Sequence, residues 1–246
     1  MLSKTLPHVG GRPVGVHPLV KNLLTACYNL NPPKPKYLST WDPDVVLRFL
    51  SSLGENSTLP LAVLSQKVAI LLAVTCLLRV SELASIDASS LSFTDAGVKF
   101  TLLRLRKAQR SGAFQSFLVP AFPDSSCCPV EAVRSYVDRT ACRRNNTNIK
   151  YLFVALIAPF KQVTSSTVSR WIRKILHSAG VDTQVFGAHS ARGAGASKAL
   201  ASGASMDTIL RSGHWSREST FARFYKRNVE TSVATAVIDF VAASLS

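Results

Sequence analysis

The sequence is poor in acidic side chains: 14 Asp and Glu stand against 29 Lys and Arg in 246 residues, a formal net charge of +15. Such an imbalance argues against a cationic partner and for a polyanion. Charged residues amount to only 17% and hydrophobic ones to 47%, which excludes disorder as the overall state. Glycine and proline, 12 each, are too few for a fibrous or low-complexity chain. Long apolar runs are missing as well. The longest, residues 68–78, is too short for a bilayer and contains Thr75, so no membrane partner is expected. The amino terminus, MLSKTLPHVGGRPVG, has no apolar stretch of signal-peptide length. Cys27, Cys76, Cys127, Cys128 and Cys142 form no CxxC pair, and an odd count with one adjacent pair suits neither a zinc site nor a disulfide framework. A reducing compartment, nuclear or cytoplasmic, fits best.

What is present is unevenly spread. Residues 1–98 carry 8 basic against 6 acidic side chains, residues 99–144 carry 9 against 3, and residues 161–227 carry 11 against 3. A solubilising surface charge is the plain alternative, but a segregated excess favours nucleic acid meeting the second and third thirds of the chain. Residues 1–38 read as an irregular segment and linker, with one helical stretch at 19–30 and the stiff Asn31-Pro-Pro-Lys-Pro-Lys36. A compact domain is expected over 39–246.

Within that domain, Thr40 or Asp42 can cap a helix with Pro43 in its first turn. Leu64, Val68, Leu71, Leu72 and Thr75 then recur at spacings of three and four, the period of a helix face turned to a core, with Arg79 on the same face. Strand-like segments at 98–105 and 114–119 flank a basic loop, predicting a hairpin with a cationic tip. Helical spacing returns at 130–140, 165–179 and 190–202, the last two ended by Gly180 and Gly203. Shorter helices are expected at 206–212 and 217–228, and an amphipathic one at 233–245. No internal repeat is visible. The fold class is mainly α with a small antiparallel β-sheet.

Three places can carry chemistry. Arg79, in LLRVSEL, sits among apolar residues where an unpaired guanidinium costs several kcal/mol to bury; its partner is either Glu82, three residues on, or a phosphate gripped by two hydrogen bonds. His189 and Arg192 form HSAR at a helix start, a spacing repeated at His214 and Arg217, so order and context must decide between them. Tyr225, in FARFYKR, shares a helical face with Phe221 and Phe224. A packed aromatic is the usual explanation, yet Arg223, Lys226 and Arg227 surround it with positive charge that stabilises a phosphate ester or phenolate.

Taken in order, Arg79, Lys107, His189, Arg192, Trp215 or His214, and Tyr225 resemble the tyrosine recombinase (phage-integrase-like) family over residues 39–235. The carrying strings are LLRVSELASID, a hairpin lysine, HSAR and GHWSRESTFARFY. The pieces HSARGA and STFARFY look most like recombinases of DIRS-type retrotransposons, which favours the nucleus. The resemblance implies a tyrosine recombinase catalytic domain in which Tyr225 attacks a DNA phosphorus and forms a 3′-phosphotyrosyl link. Arg79 and Arg192 would clamp the non-bridging oxygens. Lys107 would protonate the 5′-oxygen, and His189 would exchange a proton with the tyrosine. No cofactor and no metal are implied. The family's second His-or-Trp position lies slightly nearer the tyrosine than either residue here. Trp215 is favoured, with His214 open.

Arg104, Arg106, Arg110, Arg170, Lys174, Arg223 and Lys226 are expected to contact double-stranded DNA. A homo-oligomer on DNA is expected from the apolar 233–245 segment. Gly193 and Gly195, each unfavourable inside a helix, suggest local flexibility around Arg192. Family members carry a helical DNA clamp before this domain, whereas 38 residues precede it here: a clamp remnant, or part of a longer protein, with weak DNA binding by this chain alone. Two competing readings are a catalytically silent DNA-binding remnant and a type IB topoisomerase-like nicking-closing enzyme.

Overall fold

The computed structural model describes residues 5–32, 34, 37–106, 109, 112, 114–145, 148–215 and 218–227. The chain divides into two compact units, 1–36 and 37–246. In the first, a 3-10 turn at Val14–Val16 leads into α1 (Pro18–Leu30), which Pro18 opens with its preset φ. Leu19, Leu23, Leu24 and Leu30 of α1 are all exposed.

The second unit is organised around one helix. α2 (Pro43–Ser52) begins where expected: Asp42 caps it by accepting the Asp44 amide at 3.0 Å, with Pro43 in the first turn. α3 (Leu61–Thr75) follows and is buried all round, from Leu64 through Ala73, polar Ser65, Gln66 and Lys67 included. It packs against α5 (Pro129–Asn145), α6 (Ser165–Ser178) and α7 (Ser190–Ala201). Each fully buried Leu or Ile on it contributes roughly 1.5–3 kcal/mol relative to exposure, which makes α3 the hub of the core.

Arg79 does not continue this helix. Thr75 is its last residue, Leu77 turns the chain with a left-handed φ of 52°, and Arg79 becomes the cap of α4 (Val80–Leu83). The sequence spacing runs past a break that only the backbone at Leu77 reveals.

The sheet has three antiparallel strands in the order β1 (Ser92–Thr94), β2 (Gly97–Thr101), β3 (Ser116–Val119), with Phe100 opposite Phe117. β2 stops at Thr101, earlier than the alternation suggests, and Leu102 pairs instead with Ile86. β1 is too short to leave an alternating pattern in the sequence. Of the hairpin tip, Lys107 and Arg110 lie outside the described residues.

α8 (Met206–Gly213) and α9 (Glu218–Phe224) complete the described part, so the last expected helix before 228 ends sooner than its pattern, just before Tyr225. The 233–245 segment, on which the homo-oligomer expectation rests, lies outside the described residues. The fold is mainly α with a small antiparallel sheet, as the sequence predicts. Among the described residues, no helix is long and apolar enough to cross a membrane.

Gly195 has a packing role that the sequence does not announce. A Cβ there would run into the Val74 carbonyl oxygen and lie 3.1 Å from Leu77 Cδ2, so its bare backbone allows α7 to lie close against α3. Replacing Gly195 with Ala is expected to destabilise the fold by about 1–3 kcal/mol through overpacking, despite the better helix propensity of alanine. Denaturant unfolding checks this: equal or higher stability would contradict the close-packing role.

Candidate active site

Glu82 is the carboxylate on which the site is built. It lies on α4, is 6% exposed, and faces guanidinium groups from three separate stretches of chain. Arg79 donates to it twice, from its backbone amide at 2.8 Å and from Nη1 at 2.7 Å. Arg106 grips both oxygens, Nε to Oε1 at 3.0 Å and Nη2 to Oε2 at 3.1 Å. Arg192 Nη1 stands 3.9 Å from Oε2, beyond hydrogen-bond range. Burial alone would raise the pKa of Glu82, but the hydrogen bond from Arg106 and the Arg79 amide outweigh it and hold the carboxyl below its ordinary value.

Arg192 reaches this cluster from the first turn of α7. The turn is fixed by Ser190, whose hydroxyl donates to the Gly187 carbonyl at 2.7 Å and accepts from the buried Trp41 indole at 2.8 Å. The Arg192 guanidinium lies 4.1 Å from the Trp215 ring centre and 5.5 Å from that of Tyr225, a cation–π arrangement on both rings. Its Nη2 donates to the Gly213 carbonyl. Nε and Nη1 are buried without a hydrogen-bond partner among the described residues. Burial, followed by repulsion from Arg79, lowers its pKa to about 9, so it stays charged at neutral pH.

Trp215 is 8% exposed and packs its ring on Phe221 and Tyr225, at centroid distances of 5.1 and 4.8 Å. Its Nε1 is also buried without a partner among the described residues. His214, half-buried, takes the left-handed conformation that ends α8, with φ 54°. Desolvation, then the charge of Arg106, lowers its pKa, which leaves the imidazole neutral at pH 7. Non-glycine residues in this backbone region cost on the order of 1–3 kcal/mol, and Leu77 and His214 flank the cluster in the same way. Tyr225 is half-buried just past α9. Its carbonyl accepts from Ser197 Oγ on α7 at 2.9 Å, which ties the tyrosine to the helix that carries Arg192.

The structure thus brings Arg79, Arg192, Trp215, His214 and Tyr225 together. His189 caps α7 three residues ahead of Arg192 and is exposed. Arg104, Arg170, Lys174 and Lys226 are exposed, the middle two one turn apart on α6. Lys107, Arg110 and the side chain of Arg223 lie outside what is described. Arg106 departs from expectation. It is 2% exposed, and its remaining donors go to Gln115 Oε1 and the Ser212 and Gly213 carbonyls at 3.1, 3.2 and 3.4 Å. No N–H is left to offer to DNA, because partners distant in sequence consume them all. Glu82 entered the sequence reading only as an ion-pair partner for Arg79. Its signal was the carboxylate one turn after an arginine in an apolar string, and nothing local announced the other two guanidinium groups.

The model of the family described as Phage integrase family matches residues 42–231. A search of curated protein sequences found no match. Among solved structures, the fold is similar to XerA recombinase, with TM-score 0.57 and 19% identity over 88% of this chain and 67% of that one. It is also similar to XerH site-specific recombinase bound to difH substrate in a pre-cleavage complex, with TM-score 0.57 and 12% identity over 87% of this chain and 54% of that one. The post-cleavage XerH complex gives TM-score 0.55 and 15% identity, covering 75% and 48%. The chain therefore spans about half the length of the XerH chains.

Two outcomes follow from the geometry. A carboxyl held below its unfolded value of 4.5 contributes stability that is fully present above that pH and lost as pH falls through the folded value. Glu82→Gln should remove that part of the acid dependence and cost about 3–5 kcal/mol, because buried arginines lose their counter-charge. Thermal melts of both proteins from acidic to neutral pH test it, and parallel curves would refute it. Separately, a Cβ at Gly213 would overlap the Trp215 indole. Gly213→Ala should therefore expose Trp215 and red-shift tryptophan emission; an unchanged spectrum would contradict this packing.

Proposed function

Because the chain belongs to the phage integrase family, the tyrosine recombinases, we propose that it cleaves and rejoins double-stranded DNA through a 3′-phosphotyrosyl intermediate at Tyr225. The observation that carries this reading is a set of three buried donors, Arg192 Nε, Arg192 Nη1 and Trp215 Nε1, without partners among the described residues and beside the Tyr225 ring. Leaving such a donor unsatisfied costs roughly 1–3 kcal/mol or more, so the cluster calls for an anion rich in acceptor oxygens. Three guanidinium groups around one carboxylate also leave positive charge for that anion to neutralise. A phosphodiester has both properties.

In this mechanism the Tyr225 oxygen attacks phosphorus as the bond to the 5′-oxygen breaks. The phenolic proton passes to His189, and Lys107 protonates the departing 5′-oxygen. Arg79 and Arg192 hold the non-bridging oxygens as charge builds in the transition state, with the Trp215 N–H as a further donor. The phosphotyrosyl ester keeps the energy of the broken bond, so attack by a 5′-hydroxyl of a partner strand reverses the step without ATP, metal or cofactor. The unpartnered indole and its contact with Tyr225 support Trp215 over His214 at the ambiguous position. Exposed Arg104, Arg170, Lys174 and Lys226 supply phosphate contacts along the duplex, and binding weakens steeply with salt as counterions are released. Joining two duplexes requires several protomers, so the working form is a homo-oligomer on DNA. The strings HSARGA and STFARFY support the narrower origin in a DIRS-type retrotransposon, acting in the nucleus.

Incubation with a library of nicked suicide duplexes, detergent quench and mass spectrometry tests the chemistry. The expected product is a DNA adduct on Tyr225, absent in Tyr225→Phe although DNA affinity is nearly unchanged. Adduct on Tyr225→Phe would remove this residue as the nucleophile. Arg192→Ala should slow adduct formation by about 100- to 1,000-fold, the range for losing a transition-state donor. Relaxation of any supercoiled plasmid without paired sites would favour a nicking-closing enzyme, and DNA binding with no adduct would favour a silent remnant.

A further inference from the structure

The buried arginines of the site differ in how their donors are used. A guanidinium has five N–H groups, and Arg106 makes five hydrogen bonds: two to Glu82 and one each to Gln115, Ser212 and Gly213. Its side chain is entirely buried and lies 5.5 Å from the Phe117 ring centre. Arg192, 2% exposed, has a guanidinium with a single hydrogen-bond partner among the described residues, the Gly213 carbonyl that Arg106 also uses. One guanidinium is saturated and its neighbour keeps open donors.

Glu82 decides between these states. Its Oε1 is occupied by Arg79 Nη1 and Arg106 Nε, and its Oε2 by the Arg79 amide and Arg106 Nη2. With both oxygens engaged, the carboxylate stops 3.9 Å short of Arg192 Nη1. A buried carboxylate facing an unsatisfied guanidinium at that distance has every electrostatic reason to close the gap. The two-point grip of Arg106, added to the two donors of Arg79, opposes it. Such a bidentate pair is fixed in orientation as well as distance, and lysine cannot reproduce it.

We infer that Arg106 is a positioning residue which holds Glu82 away from Arg192 and so keeps the Arg192 N–H groups open for a phosphate. It touches no DNA itself. By sharing the Gly213 carbonyl with Arg192, it also aligns the turn that carries His214 and Trp215. Without Arg106, Glu82 swings toward Arg192, fills its donors and cancels the charge that would meet the phosphate. The inference rests on the strand-transfer reading proposed above.

The test compares single-turnover adduct formation on a suicide duplex carrying either the natural phosphate or a methylphosphonate at the scissile position. The methylphosphonate lacks one negative charge, so its transition state depends less on the arginine clamp. On the natural phosphate, Arg106→Gln is expected to slow adduct formation about 100-fold, the scale of losing a clamp donor, with DNA affinity nearly unchanged. On the methylphosphonate the deficit should shrink at least severalfold, as it should for Arg192→Ala run alongside. Arg106→Lys keeps the charge but not the two-point grip, and is expected to lie between the parent and Arg106→Gln. If Arg106→Gln does not fold, judged by circular dichroism and melting, Arg106→Lys carries the same comparison. Equal deficits on both substrates would reduce Arg106 to a structural prop and overturn the inference, as would undiminished activity of the variants. If the parent chain forms no adduct on either substrate while binding DNA, the strand-transfer reading fails first and this inference falls with it.

Discussion

A single carboxylate shared among three guanidinium groups sets the terms for the rest of the site. Glu82 cannot be buried alone, and neither can Arg79, Arg106 or Arg192; each tolerates its surroundings because of the others. The arrangement is deliberately short of negative charge. A fully neutralised cluster would be more stable and would keep no open donors. The unsatisfied donors on Arg192 and Trp215 are the structural form of that shortage.

The scaffold makes the shortage tolerable by rigidity. α3, buried on all sides, supplies a surface for α7, and Gly195 lets the two backbones lie close together. Leu77 turns the chain out of α3, so that the chain reaches Arg79 in extended form and α4 can start afresh. A smaller apolar cluster of Leu77, Ala196, Ile209, Trp215 and Phe221 then backs the aromatic side of the site. Apolar packing thus holds the polar groups where their own electrostatics would not leave them.

Much of this was legible in the sequence because its signals are local. Asp42-Pro43, the three-and-four spacing of Leu64 to Leu72 and the stops at Gly180 and Gly203 each act within one or two turns, and the elements form where those signals say. Arg79, Arg192 and Tyr225 were legible for a different reason: each sits in a short string whose order along the chain matches a known family. Arg106 was misread because its neighbours in sequence are basic and loop-like, while its partners, Glu82, Gln115 and the adjacent Ser212 and Gly213, come from three other stretches. The importance of Glu82 was hidden likewise, since convergence of residues 79, 106 and 192 is a property of the fold. β1, three residues long, leaves no periodicity to detect.

The residue two places beyond the tyrosine has a further effect. Arg227 donates from its backbone to Ser197 Oγ at 3.2 Å and from Nε to the carbonyl of Tyr37 at 2.7 Å. Tyr37 opens the second unit. The chain just past the tyrosine is therefore fastened to the start of this unit, like a clasp. The clasp closes two residues from the tyrosine, so a pull on the chain at Tyr37 passes directly to the backbone beside Tyr225.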